Sequence, residues 1–257
     1  MPILETCYMC DSIATTREHV PPKCLFPEKK DIGDDIYRQN LITVPSCDKH
    51  NTSKSQEDEF LMVSLAGIFG NNSIGFSHKL TKVNRAIRRS SNRLLDKAFK
   101  KRKHYILEKD NQFLEVIWGT PDYDRLVNSF THVAYGLHYA YYNKSFKGKV
   151  KIVLGYLHSI DFKHNEFVNY IKHQSKIDLA NSKKMGDNED VFYYQFSEID
   201  KDFGTYLLHM RFYSGIDIYV SFLPENKSNP KDSSIALIMN ACDSIILKVE
   251  DKEYKVK

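Results

Sequence analysis

Residues 7–54 hold the side chains of this chain that are best suited to chemistry. Cys7 and Cys10 form one C-x2-C pair, and Cys47 with His50 forms a C-x2-H pair further along. Three thiolates and an imidazole arranged in two such pairs are typical ligands of a closed tetrahedral zinc site. The spacing therefore predicts a structural Zn2+ that joins the two pairs.

A second set of polar side chains lies between the two pairs and just beyond them. Glu18 and His19 are adjacent, Asn40 precedes the second pair, and Asn51 directly follows His50. A carboxylate beside a histidine, with carboxamides nearby, supplies the groups for metal-assisted phosphodiester cleavage. Glu18 and Asn51 offer hard oxygen ligands suited to Mg2+ or Mn2+. Neutral His19 can accept a proton from water, because the ordinary pKa of imidazole is about 6.5.

Taken together, these spacings make residues 1–60 resemble an HNH endonuclease of the ββα-metal nuclease superfamily. The resemblance implies a module of two strands and a helix that is folded around a structural zinc. It also implies that His19 is the general base and that Glu18 and Asn51 bind the catalytic Mg2+ or Mn2+. Asn40 then matches the middle asparagine, which holds the loop and orients the His19 ring.

Three points of this resemblance stay open. His50 stands where such nucleases usually have cysteine, so it binds either the zinc or the catalytic metal. Lys54 matches a basic position one turn later, where it is either a phosphate contact or a solvated helix charge. Because adjacent strand residues point to opposite faces, either the strand ends between Glu18 and His19, or water and metal bridge them.

The local pattern indicates which elements would position these groups. Extended segments are predicted at 15–20 and 40–45, joined by a polar, turn-rich loop at 27–39. A helix is predicted to begin near Asn51. Asn51 and Lys54 are three residues apart and so share one face of its first turn.

Residues 79–103 form the most basic stretch of the chain. This stretch holds eleven Lys or Arg residues and one acid, Asp96, whereas the whole chain has a net charge of +4. Apolar residues recur at roughly helical spacing, which predicts one amphipathic basic helix. We interpret it as a nucleic-acid contact; the alternative is a solvated face paired with acids from the C-terminal half. The predicted contacts are Lys82, Arg85, Arg88, Arg89 and Arg93.

The rest of the chain predicts a mixed domain with a mostly antiparallel sheet. The predicted organisation is an HNH module at 1–60, a basic helical connector at 61–110 and an α+β domain at 111–257, whose role is unknown. The predicted elements of the last part are strands within 105–118, a helix at 123–143, a strand at 149–157, a helix at 161–176, a polar loop at 181–190, and strands near 191–197, 204–213, 216–223, 234–240 and 244–256.

Composition favours a cytoplasmic protein with no membrane contact. The 257 residues contain no apolar run of the ~20 residues that a membrane helix needs. Four of the five cysteines fall within the first 47 residues, which favours metal binding over a disulfide framework. Cys24 and Cys242 are expected to be small buried residues.

The expected function is metal-dependent hydrolysis of DNA, with RNA not excluded, that leaves 5′-phosphate and 3′-hydroxyl ends. One metal centre cuts one strand, so double-strand cutting requires a homodimer or a partner complex. Similar architectures are found in effectors of restriction or anti-phage defence. Two alternatives remain: a non-catalytic, zinc-dependent nucleic-acid-binding protein, and a nuclease subunit that is inactive without its partner.

Overall fold

The computed structural model describes residues 5–33, 35–52, 54–109, 112–157, 162–202, 204–225, 245–249 and 252–256. Helices and antiparallel sheets are mixed along these residues, which confirms the α+β class. The largest sheet of the described part has five strands. No helix in this part of the chain is both long and apolar enough to cross a membrane.

Two short antiparallel strands run through the predicted site. Strand β1 is Thr16–His19 and strand β2 is Thr43–Ser46. Thr16 lies opposite Ser46, and His19 opposite Thr43. The connection between them contains a 3-10 turn at Lys23–Leu25 and the short helix α1 at Lys29–Ile32. Helix α1 lies inside the segment 27–39, where the sequence predicts a loop.

The helical part of the module begins earlier than predicted. Helix α2 spans Asp48–Thr52, and helix α3 spans Lys54–Leu65. The carbonyl of Cys47 accepts hydrogen bonds from the backbone N–H groups of His50 and Asn51, each at 3.0 Å. Helical hydrogen bonding therefore starts at the second metal pair itself.

The predicted single helix over 79–103 is wrong. Ser91 and Asn92 have φ values of 51° and 65°, and a right-handed helix cannot continue through such left-handed backbone. The chain enters a strand after Ala98. The helical elements here are α4 (Ser73–His78), a π-helical turn (Lys79–Val83), α5 (Asn84–Arg89) and α6 (Arg93–Ala98).

A long β-hairpin and the longest helix follow. Strands β3 (Phe99–Lys109) and β4 (Gln112–Pro121) pair antiparallel, so the strand structure starts before the predicted 105–118. Helix α7 spans Tyr123–Tyr142 and agrees with the predicted helix. The carboxylate of Asp122 caps it by accepting a hydrogen bond from the backbone N–H of Arg125.

The C-terminal sheet is antiparallel, as predicted, with the strand order β5-β9-β8-β7-β6. Strand β6 lies inside the segment 181–190, where a loop was predicted. The predicted strand at 234–240 and Cys242 lie outside the described residues. The elements are β5 (Gly148–Leu154), α8 (Phe162–Asp178), β6 (Met185–Asn188), β7 (Phe192–Phe196), β8 (Tyr206–Phe212) and β9 (Ile216–Pro224), followed by a separate hairpin of β10 (Ile245–Val249) and β11 (Lys252–Val256).

Helix α7 packs directly on the end of β1. A Cβ atom added at Gly136 would lie 2.6 Å from Cγ2 of Val20, the residue after His19. One continuous hydrophobic core includes Cys7 and Val20, Leu126 of α7 and Phe222 of β9. The strand that carries Glu18 and His19 is therefore supported by the C-terminal half of the chain.

Candidate metal centre

The first metal pair lies in a tight turn. A bridge between Thr6 and Ile13 closes this turn, and the backbone N–H of Cys7 donates to the carbonyl of Ser12 at 2.8 Å. The backbone N–H of Met9 points at Cys7 Sγ, 3.5 Å away. An N–H group aimed at sulfur stabilises the thiolate that a metal requires.

The second pair completes a four-ligand cluster. Nδ1 of His50 lies 3.4 Å from Cys7 Sγ, 3.6 Å from Cys10 Sγ and 3.3 Å from Cys47 Sγ. The sulfurs of Cys10 and Cys47 are 3.9 Å apart, and all four ligand atoms lie within 4.8 Å of one another. A tetrahedral zinc with Zn–S of about 2.3 Å places neighbouring ligands roughly 3.5 to 3.8 Å apart. The cluster therefore fits zinc, with His50 in the Cys3His set.

The two cysteines of the first pair differ in environment. The pKa of the Cys10 thiol is lowered, chiefly by a hydrogen bond from the Ser12 side chain. Burial raises the pKa of Cys7, which is fully enclosed. Because a metal binds thiolates, occupation of the cluster releases protons and couples metal binding to folding.

Glu18 lies on the inner face of β1. Its side chain is 5% exposed, and it accepts a hydrogen bond from the hydroxyl of Tyr8, which is also buried. The pKa of Tyr8 is raised by burial first, and then by the negative charge of Glu18. Tyr8 therefore holds the carboxylate in position from the turn of the first metal pair.

Asn51 lies on the same side of β1. Its Nδ2 donates a hydrogen bond to Thr16 Oγ1 at 2.9 Å, and that hydroxyl donates to the carbonyl of Ser46 at 3.1 Å. Thr16 and Glu18 are two residues apart in one strand and so share a face. Since Asn51 donates through Nδ2, its Oδ1 is the atom of the carboxamide that can bind a cation. Carboxylate and carboxamide oxygens are ligand types that hard cations such as Mg2+ or Mn2+ prefer.

His19 ends β1 and points to the opposite face from Glu18. Pairing with β2 continues past His19, because the backbone N–H of Val20 donates to the carbonyl of Ile42 at 3.0 Å. The strand therefore does not end between Glu18 and His19. The imidazole is half-buried, and the peptide bond between Val20 and Pro21 is cis.

Asn40 and Lys54 are placed less closely. Asn40 is exposed, has a φ of 49°, and lines a shallow pocket together with Val20 and Pro21. It lies near the end of β1, and its role in orienting His19 stays a prediction. Lys54 begins α3, but its side chain lies outside the described part of the structure.

The five predicted nucleic-acid contacts divide into two groups. Nζ of Lys82 lies 3.0 Å from a carboxylate oxygen of Glu28, and Nη1 of Arg85 lies 2.8 Å from Asp31. These acids belong to the connection between β1 and β2, not to the C-terminal half. The other three side chains are exposed: Arg88, Arg89 and Arg93.

Sequence reasoning missed three residues of this region. Thr16 could have been found, because strand alternation places it beside Glu18. Nothing in the sequence indicates that Tyr8 contacts Glu18, since a tyrosine between two metal ligands can be either buried or exposed. Glu28 was hidden in a polar loop, although it contacts Lys30, Arg38 and Lys82.

The arrangement therefore combines a cluster that could hold zinc with a carboxylate, a carboxamide and an imidazole carried by β1 and α2. Comparison with models of protein families, with curated proteins and with solved structures gives no match.

Proposed function

We propose that this protein is a divalent-metal-dependent endonuclease of the HNH type that hydrolyses DNA phosphodiester bonds. The observation that carries the proposal is the hydrogen bond from Asn51 to Thr16. This hydrogen bond holds Asn51, the residue after His50, on the face of β1 that also carries Glu18. The four-ligand cluster supports the proposal because it joins the turn before β1 to the start of α2.

Each group has one task in this proposal. His19, at the half-buried end of β1, accepts the proton of the attacking water. Glu18, oriented by Tyr8, and Asn51, oriented by Thr16, would hold Mg2+ or Mn2+. The bound ion supplies neutralisation of the charge that develops on the phosphate and the leaving 3′ oxygen. The products are 5′-phosphate and 3′-hydroxyl ends.

The test is cleavage of supercoiled plasmid in Mg2+ or Mn2+ by the intact protein and by His19→Ala. His173→Ala is the matched control, because His173 is exposed on α8. We expect nicking by the intact protein and by the control, and a loss of at least about 100-fold in His19→Ala, the usual contribution of general-base catalysis. Zinc content checks that all three proteins are folded.

A second candidate function is zinc-dependent nucleic-acid binding without catalysis. The burial of Glu18 favours it, since a carboxylate that is 5% exposed has little room for a metal and its waters. This candidate predicts that the zinc-loaded protein binds DNA but does not cut it, whichever divalent metal is added. A nuclease subunit that needs a partner predicts instead that cleavage appears when the partner is added.

A further inference from the structure

The hairpin β3–β4 is tied to the body at its base. Nη2 of Arg102 lies 2.7 Å from Asp96 of α6, and Nζ of Lys100 lies 3.2 Å from Asp122, the cap of α7. Helix α6 runs directly into β3 at Phe99. The two even-numbered cations of the strand are therefore used to fix the hairpin to the two helices beside it.

Two other cations of the same strand lie at the surface. These cations are Lys101 and Lys103, both of which are exposed. Tyr105 is 47% exposed and Ile106 is 72% exposed. Because these two neighbours lie on opposite faces of the strand, the described core covers neither face of the hairpin at that level.

The exposed positive charge continues into α6. Arg93 and Lys97 are both exposed and lie four residues apart, so they share one side of the helix. Leu94 and Leu95 hold the other side of α6 in the core. The outward side of α6 and the outward side of β3 thus carry cations on consecutive elements.

We propose that the β3–β4 hairpin is an arm that binds duplex DNA. A two-stranded ribbon fits the major groove of B-DNA, and lysines along it can contact the phosphates beside the groove. Tyr105 and Ile106 supply aromatic and apolar surface at the level where the ribbon is uncovered. The proposal deepens the proposed nuclease function, on which it rests for the choice of DNA over other polyanions.

The test measures binding of a 30-base-pair duplex by fluorescence anisotropy at several salt concentrations. All proteins carry His19→Ala, so cleavage does not interfere. Lys101→Gln/Lys103→Gln is compared with the control Lys176→Gln/Lys201→Gln, whose lysines are also exposed. We expect the hairpin variant to bind about tenfold more weakly and to lower the salt slope by about 2, roughly one for each lost phosphate contact.

A second variant separates groove contact from charge. Tyr105→Ser/Ile106→Ser removes apolar surface but no charge, so we expect weaker binding with an unchanged salt slope. If the hairpin and control lysine variants bind the duplex with equal affinity and equal salt dependence, the proposal of a DNA-binding arm is wrong. The proposal is also wrong if these lysines are needed for binding to phosphatidylserine vesicles but not for binding to the duplex.

The arm and the nuclease activity can fail separately. If no protein with an intact His19 cuts DNA but the hairpin variants lose duplex binding, the arm stands and the nuclease proposal falls. If the intact protein cuts plasmid and the hairpin variants bind duplex like the control, only the arm falls.

Discussion

The hydroxyl of Tyr213 donates a hydrogen bond to the backbone carbonyl of Leu25, and so joins the C-terminal sheet to the turn that follows β1. Tyr213 directly follows β8 and is completely buried, which raises the pKa of its hydroxyl. Its ring packs on Gly75, where an added Cβ would lie 2.8 Å from Cγ of the tyrosine. The turn that follows β1 and the C-terminal sheet are therefore in direct contact through this side chain.

We expect Tyr213→Phe to lower the free energy of unfolding by about 1 to 2 kcal/mol, because the buried carbonyl of Leu25 loses its donor. Urea unfolding followed by tryptophan fluorescence and by circular dichroism measures the loss. Tyr141→Phe is the control, since Tyr141 is 47% exposed, and we expect it to cost less than about 0.5 kcal/mol. If both probes report the same unfolding transition, the turn after β1 and the C-terminal sheet unfold as one cooperative unit. Two separate transitions would contradict this.

His78 also holds the turn after β1, and it makes stability depend on pH. Its ring is completely buried, and Nε2 donates to the carbonyl of Cys24 at 3.0 Å. Burial lowers the pKa of His78 to about 4 from its ordinary 6.5. As pH falls, the unfolded chain therefore takes up the proton before the folded chain does. The stability that neutral His78 contributes is complete above pH 6.5 and is lost as pH falls toward 4.

We expect His78→Gln to reduce this acid sensitivity, because glutamine can donate to the same carbonyl but does not titrate. The difference in unfolding free energy between the native protein and the variant should fall by about 2 to 3 kcal/mol between pH 7 and pH 4. His138, whose pKa burial also lowers to about 4, is present in both proteins and cancels. A difference that is constant across this range contradicts the assignment.

Replacement of one metal ligand should lower the melting temperature far more than replacement of Cys24, which lies outside the cluster. We expect Cys47→Ser to lose zinc and to lower the melting temperature by more than about 10 °C, because metal binding is coupled to folding. Cys24→Ser is the matched control. Burial raises the pKa of Cys24 to about 12, so it stays a neutral thiol, and its Sγ donates to the carbonyl of Asp58. Equal zinc content in the two variants contradicts the cluster.

The sequence located the metal ligands because their chemistry requires particular residue types at short spacings. Cys7, Cys10, Cys47 and His50 converge as their two pairs predict. Helix α7 could also be predicted from the sequence, since its apolar residues recur with helical period. These features are local, and a local pattern is what a sequence shows directly.

The remaining features depend on contacts between distant residues. Helical periodicity across 79–103 did not reveal the break, because Ser91 and Asn92 are also compatible with a helix interior. Lys82 and Arg85 look like free cations until Glu28 and Asp31 are brought beside them. Strands β8 and β9 show no regular alternation of buried and exposed residues, because both faces of the sheet are covered. The main core covers one face and α8 covers the other.

The bond between Thr16 and Asn51 gives the sharpest test of the proposed active site. Thr16→Val removes the hydroxyl that holds Asn51 and leaves the zinc ligands unchanged, so we expect about tenfold slower plasmid cleavage at full zinc content. Thr43→Val is the control, because Thr43 lies opposite His19 and its hydroxyl accepts a hydrogen bond from Arg17 at the exposed face. If both variants cleave at the native rate, Asn51 does not need Thr16 to act, and the shared face of β1 loses its proposed role.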